Sequence, residues 1–255
     1  ILENSIRYKA DSNFLAFFRS KDERMIVKKL IQLLKKNIDK DKKLLSDSIW
    51  FFEEELNNRY KFVKKFLNKK HYYSESVIIF YRTLNSILNS INIQEIRGRD
   101  SMGLFLNIYL KKDYLDKKTL FEFKNENSIK NENSKHLIIS FIFKTFNIFG
   151  SLKDNSKNIF NEIKRNKKLK KIIFNKAYDK AAFMAHTRWA SSGEVNLQNT
   201  HPADNMLEKK KDFPLIYTIM NGDINNYKTI FNQLQNQKKI ITKKKINDTK
   251  LLSCF

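Results

Sequence analysis

Apolar residues in the first part of the chain recur at helical spacing. "SKDE" at 20 to 23 has the Ser-x-x-Glu form of a capping box, and Ile26, Leu30, Leu33 and Leu34 follow it on the period of an α-helix. A second stripe, Ile49, Phe52, Leu56, Tyr60 and Val63, follows Ser46, and a third, Val77, Tyr81, Leu84, Leu88 and Ile91, follows Ser74. No Gly or Pro interrupts any of the three, so nothing local stops the helices. Such stripes are the core-facing sides of amphipathic helices. Residues 1–95 are therefore expected to form a helical block.

After residue 96 the pattern changes. "MGLFLNIYL" (102–110) and "HLIISFIFKTF" (136–146) have strand composition, and the polar "KNENSIKNENS" (124–134) between them reads as a solvated loop at a hairpin tip. Residues 155–172 return to a helical pattern that ends in the basic run "KRNKKLKK". "AAFMAH" (181–186) and "PLIYTIM" (214–220) are again strand-like, and 224–236 is helical. Strand and helix runs joined by hairpin-like connections predict an α+β fold, with helices packed on antiparallel sheet.

Composition narrows the class without naming a function. At 255 residues and 41% hydrophobic content the chain can fill a real core. Its longest apolar run, "LIISFIF", is cut by Lys144 far short of a membrane span, and no secretory signal is visible, which leads us to expect a cytoplasmic protein. The single cysteine, Cys254, can form neither an internal disulfide nor a thiolate cage. No metal-ligand spacing and no cofactor motif is present, so none is expected. The net charge of +23 invites a nucleic-acid reading. Lysines are nevertheless scattered through every segment, and the aromatics fall on apolar helical faces instead of forming a stacking platform, which argues against it.

The glycines are more informative. Four of the five lie in three polar clusters: "RGRDSMG" (97–103), "HTRWASSGE" (186–194) and "NGDINNY" (221–227). Glycine is needed where backbone takes positive φ or approaches another group closely. The last two clusters also follow strand-like runs, where a sheet edge presents loop residues for chemistry. Arg188 offers a planar fork for a carboxylate, Trp189 an apolar lid, and Asn221 with Gly222 an amide and a neighbouring N–H suited to an oxyanion hole. Singly, each has a plainer reading: a surface cation–π pair, or a turn.

Together and in this order the clusters resemble a family. "HTRWASSGEVNLQNTHP" is similar to the glutamine-binding loop of class II glutamine amidotransferases, most closely that of the glutamine–fructose-6-phosphate aminotransferases, which read close to HTRWATHGxPxxxNAHPH there. "IRGRDSMGL" resembles their YRGYDSAGI, "IMNGDINNY" their VHNGIIENY, and "INDTKLL" their TDTEVI. The resemblance runs from residue 96 to residue 252.

It implies an N-terminal-nucleophile fold, a four-layer αββα sandwich over 96–255, with residues 1–95 as an N-terminal helical insertion. It also implies hydrolysis of glutamine to glutamate and ammonia by a cysteine whose own α-amine is the base, a group poised near neutral pH. On the matching positions, Arg188 would hold the substrate α-carboxylate and Asp248 its α-ammonium. Asn221 and Gly222 would form the oxyanion hole. Ser191, standing where the family has Thr, and Gly193 would line the substrate, and Trp189 would belong to the loop that closes over glutamine. His201 matches the histidine of NAHPH and is expected to serve the loop as a hydrogen-bonding residue.

The sequence departs from the family at Ser192, which replaces a His, and at Arg99, which replaces a Tyr. Cys254 follows the last motif and cannot be the nucleophile. The resemblance therefore expects either a Cys start upstream of Ile1 or a scaffold that binds glutamine without catalysis; glutaminase domains of other class II amidotransferases remain a further alternative. In full length it implies a sugar-phosphate acceptor, reached through a following SIS-type domain, and a homodimer.

Overall fold

The computed structural model describes residues 11–37, 42–67, 72–124, 128–129, 135–146, 152–189, 195–205, 216–237 and 247–254. They belong to two compact units, Ile1–Ile87 and Leu88–Phe255; the sequence had suggested a division at 95/96.

The first unit is helical. Helices α1 (Asp11–Arg19) and α2 (Lys21–Lys36) meet at Ser20, whose hydroxyl accepts a 3.1 Å bond from the Glu23 N–H as the capping box predicts. Arg24 closes the other side of this junction by donating to the Phe17 and Phe18 carbonyls at 3.0 and 2.7 Å, at the end of α1. The buried stripe of α2 is Val27, Ile31 and Leu34, while Ile26 and Leu33 are exposed. The expected period is present and Leu34 is buried, but the rest of the covered face is Val27 and Ile31, because α2 carries apolar residues on two faces and only one is covered.

Helix α3 (Lys42–Trp50) runs on through a π-helical stretch, Phe51–Asn58, into α4 (Arg59–Lys64). Ile49, Phe52, Leu56 and Val63 are buried along it, and Tyr60 is half-buried. Arg24 and Lys64 both stand over the Tyr60 ring, each 4.9 Å from its centroid. Helix α5 (Glu75–Gln94) buries Val77, Tyr81, Leu84, Leu88 and Ile91, the third predicted stripe. Within the first unit Arg82 pairs with Asp11 and lies 4.9 Å above the Phe14 ring, so its charge is compensated on both sides.

The second unit is built on an antiparallel sheet of order β2-β3-β1-β4, with β1 at Ser101–Lys111, β2 at Ser128–Ile129, β3 at His136–Phe146 and β4 at Tyr178–Arg188. The connection from β1 to β3 is more than the expected polar hairpin tip. It holds a short 3-10 turn, helix α6 (Lys117–Lys124) and the edge strand β2, and the rest of 124–134 lies outside the described residues. The central strand β1 is covered on both faces. Met102, Leu104, Leu106, Ile108 and Leu110 are fully buried on one side, with Ser101 and Phe105 buried on the other.

Helix α7 (Asp154–Arg165) packs on β1 and β3. The single helix expected over 155–172 is in fact two. Asn166 takes an extended conformation (φ −71°, ψ 97°) and caps α8 (Lys167–Ile173) by accepting from the Leu169 N–H at 2.8 Å. A second, two-stranded sheet pairs β5 (Ala203–Asp204) with β6 (Tyr217–Thr218). It lies over the face of β1 that carries Gly103 and Phe105, with the Tyr217 and Phe105 rings 3.9 Å apart. Helix α10 (Asp248–Cys254) packs on both of these strands, and α9 (Tyr227–Asn236) meets α10 through Leu234 and Leu251. The fold is α+β with antiparallel sheets, as the strand and helix patterns predict.

Candidate functional site

The "RGRDSMG" and "HTRW" segments become neighbours because β1 starts where β4 ends. Ser101 is opposite Arg188 and Gly103 opposite His186, and the Asp100 N–H donates to the Arg188 carbonyl at 3.2 Å. On the other side of β1, Gly103 faces Lys144 of β3. Directly paired residues of an antiparallel sheet point to the same side. Two rows therefore share one face: Arg188–Ser101–Phe146 and, one pleat repeat along, His186–Gly103–Lys144.

His201 lies over the second row. A β-carbon at Gly103 would overlap the His201 carbonyl oxygen and come within 3.0 Å of the Pro202 ring, so this glycine is required by the approach of another backbone. The His201 ring packs against His186 with centroids 4.7 Å apart. Its Nδ1 has no hydrogen-bond partner among the described residues, and neither has Nδ1 of His186 or Oγ of Ser101. The ring packs on His186, and of its polar atoms only Nδ1 is buried without a partner among the described residues. A buried polar atom left unmatched costs about 1–3 kcal/mol, so three on one face call for an explanation.

The electrostatics of this face are set by burial. Desolvation pushes His201 down to about 3, helped by the positive charges of Arg188 and Lys144 and by His186. His186 is lowered by burial and then by Arg188. Burial also lowers Arg188, with Asp100 opposing, and lowers Lys144, with Asp204 opposing and Lys250 reinforcing.

The "NGD" segment forms a second cluster, with α10. Asn221 and Gly222 are exposed; Gly222 has φ +152°, and a β-carbon there would meet nothing within 4 Å, so its glycine answers to backbone conformation and not to packing. Asp248 opens α10, and its Oδ2 accepts from the Ile224 N–H at 2.7 Å. Thr218 Oγ1 donates to the Thr249 carbonyl at 2.8 Å. The "NTHP" segment bridges the two clusters. Asn247 Nδ2 donates to the Asn199 carbonyl at 3.1 Å, Lys250 lies 3.6 Å from Asp204, and His201 covers Gly103.

The remaining expected site residues separate into two groups. Trp189, the first residue after β4, is 63% exposed. Ser191 and Gly193, together with Ser192, lie outside the described residues. The substituted Arg99 is exposed, and its carbonyl accepts from Asn155 Nδ2 at 2.7 Å. Cys254 is half-buried in α10, and burial raises its thiol above the usual value, the reverse of what activates a nucleophile. Among the described residues no group of three or more His, Cys, Asp or Glu side chains is arranged to hold a metal.

Two contributors escaped the sequence reading. Lys144 interrupts an apolar run at the parity of Ser140, which is the signal that it belongs to the face opposite the hydrophobic core. Glu95 supports the turn before β1 from within the terminal residues of a helical pattern, and nothing local marks it.

No family model and no curated protein matches the chain. Among the described residues no helix is long and apolar enough to cross a membrane.

Proposed function

We propose that this chain is the glutaminase part of a class II glutamine amidotransferase of the glutamine–fructose-6-phosphate aminotransferase kind. The observation that carries the reading is the bonding of the four motifs to one another. Ser101 pairs with Arg188, His201 covers Gly103, Asn247 reaches Asn199, and Asp248 holds the backbone after "NGD". The succession of α7, the large sheet, the β5–β6 pair and α10 also supports an αββα sandwich of the N-terminal-nucleophile type.

In this reading Arg188, at the sheet end, grips the α-carboxylate of glutamine through its guanidinium fork, and Asp248 attracts the α-ammonium. Asn221 and Gly222 stabilise the oxyanion that forms when a cysteine thiolate adds to the side-chain carboxamide. Ser191 and Gly193 line the substrate, and Trp189 closes over it, excluding water and retaining the ammonia released. That ammonia passes to a sugar phosphate held by an SIS-type domain of the full-length, dimeric protein.

The test is ammonia and glutamate release from glutamine by the full-length protein, with calorimetric glutamine binding to Ile1–Phe255 alongside. Release that is abolished by a diazoketone glutamine analogue is the expected result. Binding without release would leave a glutamine-sensing module. Absence of both would overturn the reading.

A further inference from the structure

Arg188 is the last residue of β4, where a strand frays unless something beyond its ladder holds it. It is only 8% exposed, and the turn that precedes β1 lies directly on its backbone. The Asp100 N–H donates to the Arg188 carbonyl at 3.2 Å. A β-carbon at Gly98 would stand 3.0 Å from the Arg188 carbonyl carbon, 3.2 Å from the Arg188 nitrogen and 3.1 Å from the Thr187 carbonyl carbon. Gly98 has no left-handed φ, so it is this close approach that requires glycine there.

The same turn is fixed from its other side. The Arg97 and Gly98 N–H groups donate to the Gln94 and Glu95 carbonyls at 2.8 and 3.3 Å, and Asn155 Nδ2 holds the Arg99 carbonyl at 2.7 Å. The Glu95 carboxylate in turn accepts from the Lys153 and Ser156 N–H groups at the start of α7. The strand end that carries Arg188 is thereby anchored to a helix through four residues of turn.

We propose that the turn 97–100 is the positioning element of Arg188: Gly98 seats it on the strand end, and the Asp100 carboxylate holds the guanidinium ready for an incoming carboxylate. On the glutaminase reading, on which this rests, that carboxylate is the α-carboxylate of glutamine. An arginine side chain loses much rotamer freedom when it binds, and one that is ordered beforehand loses less. Burial works against the Arg188 charge, and Asp100 opposes it. A guanidinium has five N–H donors, enough to serve Asp100 and a ligand carboxylate together. Asp100 is suited to the task because the backbone on both sides of it is bonded, at the Arg99 carbonyl and at its own N–H. Neither Gly98 nor Asp100 touches the substrate; both act through Arg188.

The test pairs steady-state kinetics of the full-length protein with the Nε–Hε resonance of Arg188 in ligand-free Ile1–Phe255. Asp100→Asn keeps the backbone N–H and removes the charge. It should raise KM for glutamine roughly tenfold and leave kcat within about twofold, because it removes a binding contribution and not a chemical one. Gly98→Ala should do the same by displacing the strand end, and Asp100→Glu, which restores a carboxylate, should fall between Asp100→Asn and the parent. Asp113→Asn, exposed in the 3-10 turn after β1, should change neither constant. Added to Arg188→Lys, Asp100→Asn should weaken glutamine binding by less than about threefold more, since residues acting at one point are not additive. In ligand-free Ile1–Phe255, Asp100→Asn should move the Arg188 resonance while Tm stays near that of the parent. A turn with a structural role alone would lower kcat and Tm and leave KM and the resonance unchanged, which would overturn the proposal. An unchanged KM for Asp100→Asn in a protein that does consume glutamine would overturn it as well. Should the parent neither bind glutamine nor release ammonia, the glutaminase reading falls and the resonance alone decides. A shift would then keep the turn as the element that positions Arg188 for another carboxylate, and an unmoved resonance would remove it.

Discussion

The Glu95 carboxylate closes the N-terminus of a helix 61 residues further along the chain. It accepts from the Ser156 N–H at 3.3 Å and also from the Lys153 N–H, at the start of α7, and is itself 1% exposed. The first N–H groups of a helix have no intrahelical acceptor, and a negative charge there also meets the positive end of the helix dipole. With Asn155 bonded to the Arg99 carbonyl, this bond fixes the turn that delivers Ser101 to the sheet. Glu95→Ala should cost about 1.5–3 kcal/mol in urea unfolding, the usual worth of charged hydrogen bonds. Glu95→Gln, which keeps an acceptor, should cost about half as much.

The two glycines nearest the candidate site should respond differently to the same substitution. Gly103→Ala drives a methyl group into the His201 backbone, and the expected loss is about 1–3 kcal/mol or more, with displacement of the "NTHP" segment. Gly222→Ala meets no atom within 4 Å and pays only for its φ of +152°, about 1–2 kcal/mol. Comparing the two by equilibrium unfolding checks the order; a Gly103→Ala protein as stable as the parent would remove His201 from its place over the strand.

His201 should make the second unit acid-sensitive. Burial holds its folded pKa at about 3, below the ordinary 6.5, so the unfolded chain binds a proton that the folded chain refuses. The unfolded state then holds more protons between these values, and stability rises with pH across that window. The contribution is full above about pH 6.5 and falls at roughly 1.4 kcal/mol per pH unit as pH drops toward 3. Urea midpoints measured between pH 7 and pH 4.5 should show this slope in excess of that of His201→Asn. His186, lowered in the same direction, adds to it.

Arg188→Lys keeps the charge and removes the planar fork. If Arg188 holds the glutamine α-carboxylate, glutamine affinity should fall at least tenfold, about 1.4 kcal/mol. The strand pairing of Ser101 with Arg188 is made by backbone, so the loss of affinity should exceed the loss of stability. Equal loss of stability and affinity would instead mark Arg188 as a structural residue.

The sequence by itself determined what depends on near neighbours. Ser20 and Glu23 announce the cap of α2, the stripe from Val77 to Ile91 announces α5, and the apolar runs announce β1, β3 and β4. These are interactions within one or two turns, or within one strand, and spacing alone encodes them. Of the glycines, Gly222 marks a local backbone need, whereas Gly98 and Gly103 mark the approach of distant backbone, at Arg188 and at His201. Where two faces of one helix were both apolar, the period did not reveal which was covered, and α2 buries Val27 and Ile31 instead of Ile26 and Leu33. The break at Asn166 was also misread, because its capping side chain sits inside a continuous basic helical pattern. Only the tertiary structure decided that β1 is central, that Lys144 and His186 flank Gly103, that His201 covers it, and that Glu95 caps α7. Those relationships join residues far apart in the chain, and they depend on which surfaces are removed from water together, a quantity that no single segment carries.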